Sequence, residues 1–309
     1  MSETTRRLYT RVAFCYHKQG LTQEQIAKNL HMSRQRVNRI LSECLDLGIV
    51  EIRIHGESSA YLVLETILEE RYGLTAVRVA GGANDDSMYT ELGFRAGRYL
   101  TEIIRDSDII GFSRGKTLSA MVPHISAIHT KNLVVVQLMG GWNDQHNKMR
   151  GDDIVHRLSE RMNAKAVMLY APVLLQDKRL RETFFREPCF LDSYQVIRSC
   201  TIAVLGIGQV SGEPPFPTAN SDSAWVPKEA VGEICARFFD INGNPVSSEF
   251  DDRIIAVERN DLFQIPLRIG VAGSSAKLPA ILGALRGGYI NALITDAEMA
   301  LALQTEKAT

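Results

Sequence analysis

The pattern of apolar and polar positions divides the chain into two parts with different periods. Over residues 21–41, apolar residues recur at helical spacing in two short runs, separated by His31-Met32-Ser33. From residue 74 onwards, short runs rich in β-branched residues alternate with amphipathic segments. The first pattern predicts two packed helices, and the second predicts strands and helices in alternation.

The two runs over residues 21–41 predict a helix-turn-helix. Ala27 allows a close approach of the two helices, and Ser33 is placed to cap the second helix through its side-chain oxygen. A helix around residues 8–16 supports the pair, and the alternation over residues 49–54 predicts a wing strand. The apolar positions that form a shared small core are Ile26, Ala27, Leu30, Val37, Ile40 and Leu41.

The second helix carries basic and amide side chains away from its apolar stripe. Arginine pairs with guanine and asparagine or glutamine with adenine, and a recognition helix presents its N-terminal residues to the major groove. The alternative for this segment is an ordinary amphipathic hairpin with a solvated basic face. We predict that it binds DNA through Ser33, Arg34, Gln35, Arg36, Asn38 and Arg39.

The distribution of charge favours DNA binding. Residues 1–55 contain nine Lys or Arg and five Asp or Glu, a net charge of +4. The whole chain has 35 basic and 36 acidic residues, so residues 56–309 carry a net charge of −5. A basic head on an acidic body fits phosphate contact at one end only. We predict a DNA-binding domain over residues 1–55 and a second domain over residues 56–309.

The bulk composition is that of a soluble globular protein, with 45% hydrophobic and 23% charged residues in 309. We expect a cytoplasmic protein without membrane contact, because the sequence has no transmembrane run and no signal-peptide region. The histidines have no metal-ligand spacing, and we expect neither a metal nor a cofactor. The scattered cysteines predict buried, reduced thiols at Cys15, Cys44, Cys189, Cys200 and Cys235.

The pattern over residues 56–309 predicts an α/β domain. Nearly unbroken apolar strands that alternate with amphipathic helices indicate a mostly parallel sheet covered on both faces. A helix over residues 61–72, ending at Gly73, either packs within the chain, connects the domains or contacts a partner subunit. The predicted strands cover residues 76–79, 108–111, 133–138, 166–170, 201–205, 267–271 and 290–294.

Glycine-containing loops follow four of these strands. Ligands bind at the carboxyl ends of parallel strands, so we expect the loops to converge on one polar ligand. The loops cover residues 111–117, 140–142, 206–208 and 273–277.

The first of these loops contains Gly115-Lys116-Thr117 but is not a nucleotide-binding P-loop. Ile110 stands where the first glycine of G-x-x-x-x-G-K-[ST] belongs. We predict instead that the loop forms a more general anion site. Its groups are backbone amides, the hydroxyls of Ser113 and Thr117, and the charge of Lys116. The alternative is a plain turn between a strand and a helix.

Five further motifs follow the helix-turn-helix in a characteristic order. They are GFSRGKTL (111–118), VVVQLMGG (134–141), VLGIG (204–208), AVGEICARFFDINGNPV (230–246) and GVAGSSAKLPAILGALRGGYINALITD (270–296). With them, nearly the whole chain resembles the SorC family of bacterial sugar-responsive transcriptional regulators. The resemblance implies an effector-binding domain related to glucosamine-phosphate deaminase and ribose-phosphate isomerase enzymes. It also implies assembly as a homodimer or homotetramer on double-stranded operator DNA.

The resemblance also implies roles for individual residues. The loop of Ser113, Gly115, Lys116 and Thr117 would grip a phosphate or terminal hydroxyls of the effector. Glu233 and Lys277 would contact sugar oxygens, since a carboxylate accepts from hydroxyls and an ammonium donates to oxygens. Two cations depart from the family pattern of the first loop, and they favour a phosphorylated or acidic effector. They are Arg114 and Lys116.

The sequence therefore predicts a transcriptional regulator of carbohydrate metabolism, controlled by a sugar, polyol or sugar-phosphate effector. The alternative is a sugar-phosphate isomerase or deaminase with an appended helical domain. Such an enzyme needs a general base near the substrate carbon. The nearest approach to a paired acid and base is Asn143-Asp144-Gln145-His146, which we interpret as a solvated loop, and we predict that the protein is not an enzyme. The acids and histidine considered are Asp144, His146, Glu233 and Asp296.

Overall fold

The structure, a computed structural model, describes residues 1–51, 59–81, 85–126, 130–141, 151–210 and 227–306. The chain forms two compact units, Met1–Ser59 and Ala60–Thr309. Each unit has an apolar core of its own. None of the described helices is long and apolar enough to cross a membrane.

Three helices form the first unit: α1 (Glu3–His17), α2 (Gln23–Asn29) and α3 (Arg34–Asp46). The predicted helix-turn-helix is confirmed as α2 and α3, and α1 packs against both. Most of the predicted wing strand, residues 52–54, lies outside the described residues. The buried core of the three helices consists of Val12, Ala13, Ile26, Ala27, Val37, Ile40, Leu41 and Cys44.

Local side-chain bonds define where α2 and α3 begin. Thr22 and Gln25 form a capping box at the start of α2. The Ser33 hydroxyl accepts a hydrogen bond from the Arg36 amide at 3.2 Å, which caps α3. Between them, His31 adopts a left-handed conformation with φ of 52°. These bonds satisfy amides that have no partner within the first helical turn, so the turn between the helices can be short.

The second unit contains ten described strands and nine described α-helices. The strands are β1 (Ala76–Ala80), β2 (Ile109–Phe112), β3 (Val134–Gln137), β4 (Lys165–Val167), β5 (Ile202–Gly206), β6 (Gly208–Gln209), β7 (Gly232–Ile234), β8 (Arg237–Phe239), β9 (Leu267–Val271) and β10 (Ala292–Asp296). The helices are α4 (Ser59–Tyr72), α5 (Asp85–Ile103), α6 (Lys116–Met121), α7 (Gly151–Met162), α8 (Lys178–Phe184), α9 (Pro188–Arg198), α10 (Arg259–Gln264), α11 (Leu278–Arg286) and α12 (Ala297–Thr305).

Seven of the strands form one parallel sheet in the order β1-β10-β9-β5-β2-β3-β4, which confirms the predicted α/β fold. In most of these strands, residues on opposite faces enter two separate cores, whereas β4, at the edge, has exposed or partly buried residues. In β5, for example, Ala203 and Leu205 face one core and Ile202 and Val204 face the other. Helices α5, α6 and α7 contribute to the second core, and α9, α11 and α12 to the first. Burial on both faces explains why the strands are nearly continuous apolar runs.

Most strand boundaries differ from those predicted by at most one residue, whereas the end of β4 and both ends of β10 differ by two or three. β4 ends at Val167 because the Leu169 amide donates to the side-chain Oε1 of Gln137 instead of continuing the ladder. β10 begins at Ala292, two residues late, because Asn291 uses its side chain to accept from the Arg268 amide at 2.7 Å. Polar side chains thus end the regular pairing where the apolar pattern continues.

The sequence prediction for the cysteines is wrong at two positions. Cys189 is exposed and Cys15 is partly buried, whereas the other three are buried. Cys189 lies in the first turn of α9 on its solvent side, while Phe190 and Tyr194 of that helix enter the core. Burial raises the pKa of the Cys200 thiol to about 12, so this group stays protonated.

The helix predicted over residues 61–72 is α4, and two of its acidic side chains accept hydrogen bonds from the edge strand β1. β1 is an edge strand, so alternate amides have no strand partner on its outer side. Glu65 Oε1 accepts from the Val79 amide at 2.8 Å, and Glu69 Oε1 accepts from the Val77 amide at 2.7 Å. At its other end, α4 bonds to α12 through the Tyr72 hydroxyl and the Leu303 carbonyl. These contacts favour intrachain packing among the roles considered for this helix.

Replacing Glu65 by methionine should lower the free energy of unfolding. Glu65 is 9% exposed, and the substitution leaves the Val79 amide buried without its acceptor. We expect a loss of about 1–3 kcal/mol, measured by denaturant unfolding. Glu70→Met changes an exposed glutamate of the same helix and serves as the control. Equal stability of the two variants would show that the carboxylate does not protect this edge.

Candidate functional site

The exposed face of α3 carries the residues predicted to bind DNA. Ser33, the cap of the helix, is exposed, and its hydroxyl bonds to the Arg36 amide. Val37 and Ile40 are buried, which turns the intervening polar side chains outward. The exposed residues of this surface are Arg34, Gln35, Arg36, Asn38 and Arg39. A helix that presents such donors at its N-terminal half can meet base edges and phosphates in a major groove.

One arginine of this surface is held by a neighbouring acid. Arg39 Nε lies 3.6 Å from Glu43 Oε1, one helical turn away. The Tyr9 hydroxyl of α1 donates to the other oxygen of Glu43. This bond to the carboxylate raises the pKa of Tyr9. The side-chain contacts from Tyr9 through Glu43 to Arg39 therefore join α1 to the exposed face of α3.

In the second unit, the order of the strands places a crevice between β2 and β5. From β2 the chain continues to β3 and β4 on one side, whereas β5 leads towards β9 and β10 on the other. Adjacent strands whose connections leave in opposite directions separate their loops, and ligands bind there in open α/β sheets. A cavity of about 280 Å³ lies at this point.

The loop after β2 supplies the first wall of the cavity. Ser113 and Thr117 are buried, and Lys116 is exposed, with its Nζ 6.0 Å from the centre of the Tyr89 ring. Gly115 has φ of 140°, a conformation that favours glycine, and it starts α6 without a side-chain cap. The structure thus brings together all four residues predicted for this loop.

The loop after β5 is held by side chains from its neighbours. The Ser113 hydroxyl accepts from the Gly206 amide at 2.9 Å. Lys277 Nζ, from the loop after β9, donates to the Ile207 carbonyl at 3.0 Å. Gly208 lies against Glu233, and a Cβ at Gly208 would lie 2.1 Å from Glu233 Oε1. The predicted residues Ser113, Glu233 and Lys277 therefore meet around this loop.

Glu233 and Lys277 have shifted proton affinities. Burial raises the pKa of Glu233, although the Ala236 amide and the charges of Arg114 and Lys277 oppose the shift. Burial lowers the pKa of Lys277, opposed by Glu233 and assisted by the charge of Lys116. Both shifts have the same origin, because removal of water disfavours a charged form. The two groups are partly desolvated partners in a polar cavity.

Sequence reasoning did not predict the small antiparallel sheet that carries Glu233. β6, β7 and β8 form this sheet, and a two-residue turn, Cys235-Ala236, joins β7 to β8. Both turn residues have positive φ, 50° and 61°, although neither is a glycine or asparagine. Glu233 Oε2 accepts from the Ala236 amide at 2.8 Å and holds the turn. No turn signal in the sequence marks this hairpin.

Other predicted features do not join the cavity. Gly140 and Gly141 contact residues 171 and 172 instead of lining the cavity. Met139, the residue before them, does line the cavity. Asp296, considered as a possible base, is buried and accepts from the amides of Ser274 and Met299. Asp144 and His146 lie outside the described residues. Over the described ranges, no group of three or more His, Cys, Asp and Glu side chains could hold a metal ion.

Comparisons with known proteins agree with both parts of this structure. Residues 57–304 match the family described as "Putative sugar-binding domain", and residues 9–46 match "Sigma-70, region 4". The deoxyribonucleoside regulator of Bacillus subtilis is 31% identical, with 98% of this chain and 99% of that protein covered. The transcriptional regulator LsrR of Escherichia coli K12 is 28% identical, with 95% and 93% covered.

A solved structure covers both units. The full-length sorbitol operon regulator SorC from Klebsiella pneumoniae matches with a TM-score of 0.73 and 27% identity, over 99% of this chain and 100% of that one. The fold and its two candidate sites define a class of protein, the DNA-binding transcriptional regulators with a sugar-binding domain. Within that class, the chain belongs to the SorC family.

Removal of the Lys277 charge should raise the pKa of Glu233 further. The ammonium group favours the carboxylate form of Glu233, so Lys277→Met removes a stabilising charge. Titration of the glutamate side-chain carboxyl carbons by NMR in the full chain would measure the change. Lys228→Met alters an exposed lysine and serves as the control. A titration midpoint of Glu233 that is the same in both variants would contradict the proposed electrostatic contact.

Proposed function

We propose that this protein controls genes of carbohydrate metabolism by binding operator DNA through α3 and a sugar or sugar phosphate in the cavity at β2 and β5. The observation that carries the effector assignment is the convergence of Lys116, Lys277 and Glu233 on one cavity. Ammonium groups neutralise phosphate, and a carboxylate accepts from sugar hydroxyls. A phosphorylated effector fits this set of groups better than an uncharged polyol.

Individual residues are proposed to act as follows. Ser113, Thr117 and the backbone around Gly115 surround the phosphate or terminal hydroxyls, with Lys116 as the counter-charge. Glu233 accepts from sugar hydroxyls through the oxygen that is not bonded to the Ala236 amide. Lys277 contacts phosphate or sugar oxygens, and it must then share or release its bond to the Ile207 carbonyl. Effector binding would thus alter the contacts that hold the β5 loop.

We propose that the cavity binds its ligand without turnover. Glu233 has a raised pKa, but its carboxylate is engaged by the hairpin that it holds. Asp296, the other candidate base among the described residues, is used as a helix cap and loop anchor. The relatives named above are transcriptional regulators. Turnover of a stabilising sugar phosphate by the purified chain would contradict this part of the proposal.

The proposed assembly is a cytoplasmic homodimer or homotetramer on DNA. Two recognition helices that enter successive major grooves must lie about 34 Å apart. A change of subunit arrangement on effector binding would alter this spacing and lower or raise operator affinity without a change at α3. Such coupling requires the effector to prefer one arrangement.

A thermal-shift screen of sugars and sugar phosphates tests the effector site. A ligand that binds only the folded protein stabilises it by about 2.7 kcal/mol at 100 times its Kd. We expect a sugar phosphate to raise the Tm of the full chain and Lys277→Met to remove most of that shift. Lys165→Met, at an exposed strand residue, is the control. An undiminished shift in Lys277→Met would exclude this lysine from the site.

The double variant Arg34→Ala, Arg36→Ala tests the DNA surface. Each base contact of good geometry is worth about 1–3 kcal/mol, and each lost phosphate contact reduces the salt slope by about 0.9. We expect operator affinity to fall at least about tenfold at fixed salt, measured on a duplex selected by the wild-type chain from random sequences. Arg7→Ala, Arg11→Ala removes the same charge from the exposed side of α1 as the control. Equal losses in the two double variants would place the interface elsewhere.

A further inference from the structure

A hydrogen bond joins the two helices of the helix-turn-helix on their exposed side. Gln23 Nε2, at the first residue of α2, donates to Asn38 Oδ1 of α3 at 3.2 Å. Asn38 is exposed, and Gln23 is partly exposed. The bond is separate from the capping box, which uses Thr22 and Gln25. Sequence reasoning included Asn38 in the DNA surface but did not include Gln23.

This bond orients the Asn38 side chain. An asparagine amide has an acceptor oxygen on one side and two N–H donors on the other. Because Oδ1 faces Gln23, the Nδ2 group turns away from α2. Asn38 and Arg34 are four residues apart and therefore lie on the same side of α3. At this point of the helix, Nδ2 of Asn38 and the guanidinium of Arg34 are donors, whereas one lone pair of Asn38 Oδ1 is occupied by Gln23.

We propose that Gln23 is a positioning residue for DNA reading, which holds Asn38 so that its Nδ2 donates to guanine. The major-groove edge of guanine presents two neighbouring acceptors, N7 and O6. Adenine presents N7 together with an N–H donor, and its usual pairing with asparagine needs an outward-facing amide oxygen as well. The bond to Gln23 favours the guanine arrangement. This inference rests on the proposed function of α3.

Replacing Gln23 by alanine should affect one base pair and leave the fold unchanged. Asn38 then rotates without restraint, and its preference for guanine weakens. We expect discrimination at one position of the selected operator, about 5- to 150-fold for a good base contact, to fall several-fold in Gln23→Ala. Asn38→Ala should remove it, and the double variant should behave like Asn38→Ala alone, because the two side chains act as a unit.

Gln23→Glu provides a stricter test, because it should change the preferred base. A carboxylate cannot donate, so it would accept from Nδ2 and turn Oδ1 of Asn38 outward. The outward acceptor then suits the N–H donors of adenine or cytosine. The added negative charge should weaken binding to all sequences equally, whereas the exchange of base preference is confined to one position. A glutamate in the first turn of α2 is compatible with the helix dipole.

The experiment measures binding of the full chain to the selected duplex and to all of its single base-pair substitutions. Gln19→Ala and Gln19→Glu make the same chemical changes at an exposed residue before α2 and are the matched controls. Thermal unfolding checks each variant, and a lowered Tm with equal loss on every duplex would indicate a structural role and overturn the proposal.

Two further outcomes distinguish failure of the positioning role of Gln23 from failure of the proposed function of α3. If Asn38→Ala loses guanine preference while Gln23→Ala and Gln23→Glu match the Gln19 controls, the positioning role is wrong and the function of α3 stands. If the wild-type chain selects no common sequence, both are wrong. A shift from guanine to adenine or cytosine in Gln23→Glu alone would be the result expected here.

Discussion

The parallel pairing of β2 with β5 is the contact on which the candidate effector site depends. The two strands align Ile110 with Ile202 and Phe112 with Val204, which brings their carboxyl ends to one edge of the sheet. Because the chain leaves these ends in opposite directions, the loops separate and a cavity opens between them. Every residue proposed to contact the effector then reaches this cavity from β2, from the hairpin of β7 and β8, or from the loop after β9.

The polar side chains of the cavity also hold its walls together. Ser113, Glu233 and Lys277 bond to backbone groups of Gly206, Ala236 and Ile207, respectively. A ligand that competes for these side chains changes the restraints on the β5 loop and on the strained turn beside it. Binding of the proposed effector to these side chains would therefore be linked to rearrangement through the same few bonds.

The success of the sequence predictions depended on the range of the interactions and on whether the residue types involved are typical of the structure that they form. The helix-turn-helix was predictable because capping by Thr22 and Ser33 and the apolar spacing of α2 and α3 are local. The hairpin at Cys235-Ala236 was not, because both turn residues adopt positive φ although neither is a residue type that marks such a turn. The Gly140-Gly141 loop was misplaced, since Gly140 serves a close backbone approach to residues 171 and 172 and the Gly141 amide donates to the Ala171 carbonyl.

By itself, the sequence determined the two-part plan, the α/β class of the body, the family and the set of polar groups available for DNA and effector. These follow from periodicity, composition and motifs, which act within short stretches of chain. Only the tertiary structure decided which of those groups share one cavity, that Asp296 is an anchor, and that Gln23 orients Asn38. Such facts depend on distances between residues far apart in the chain, which folding alone sets.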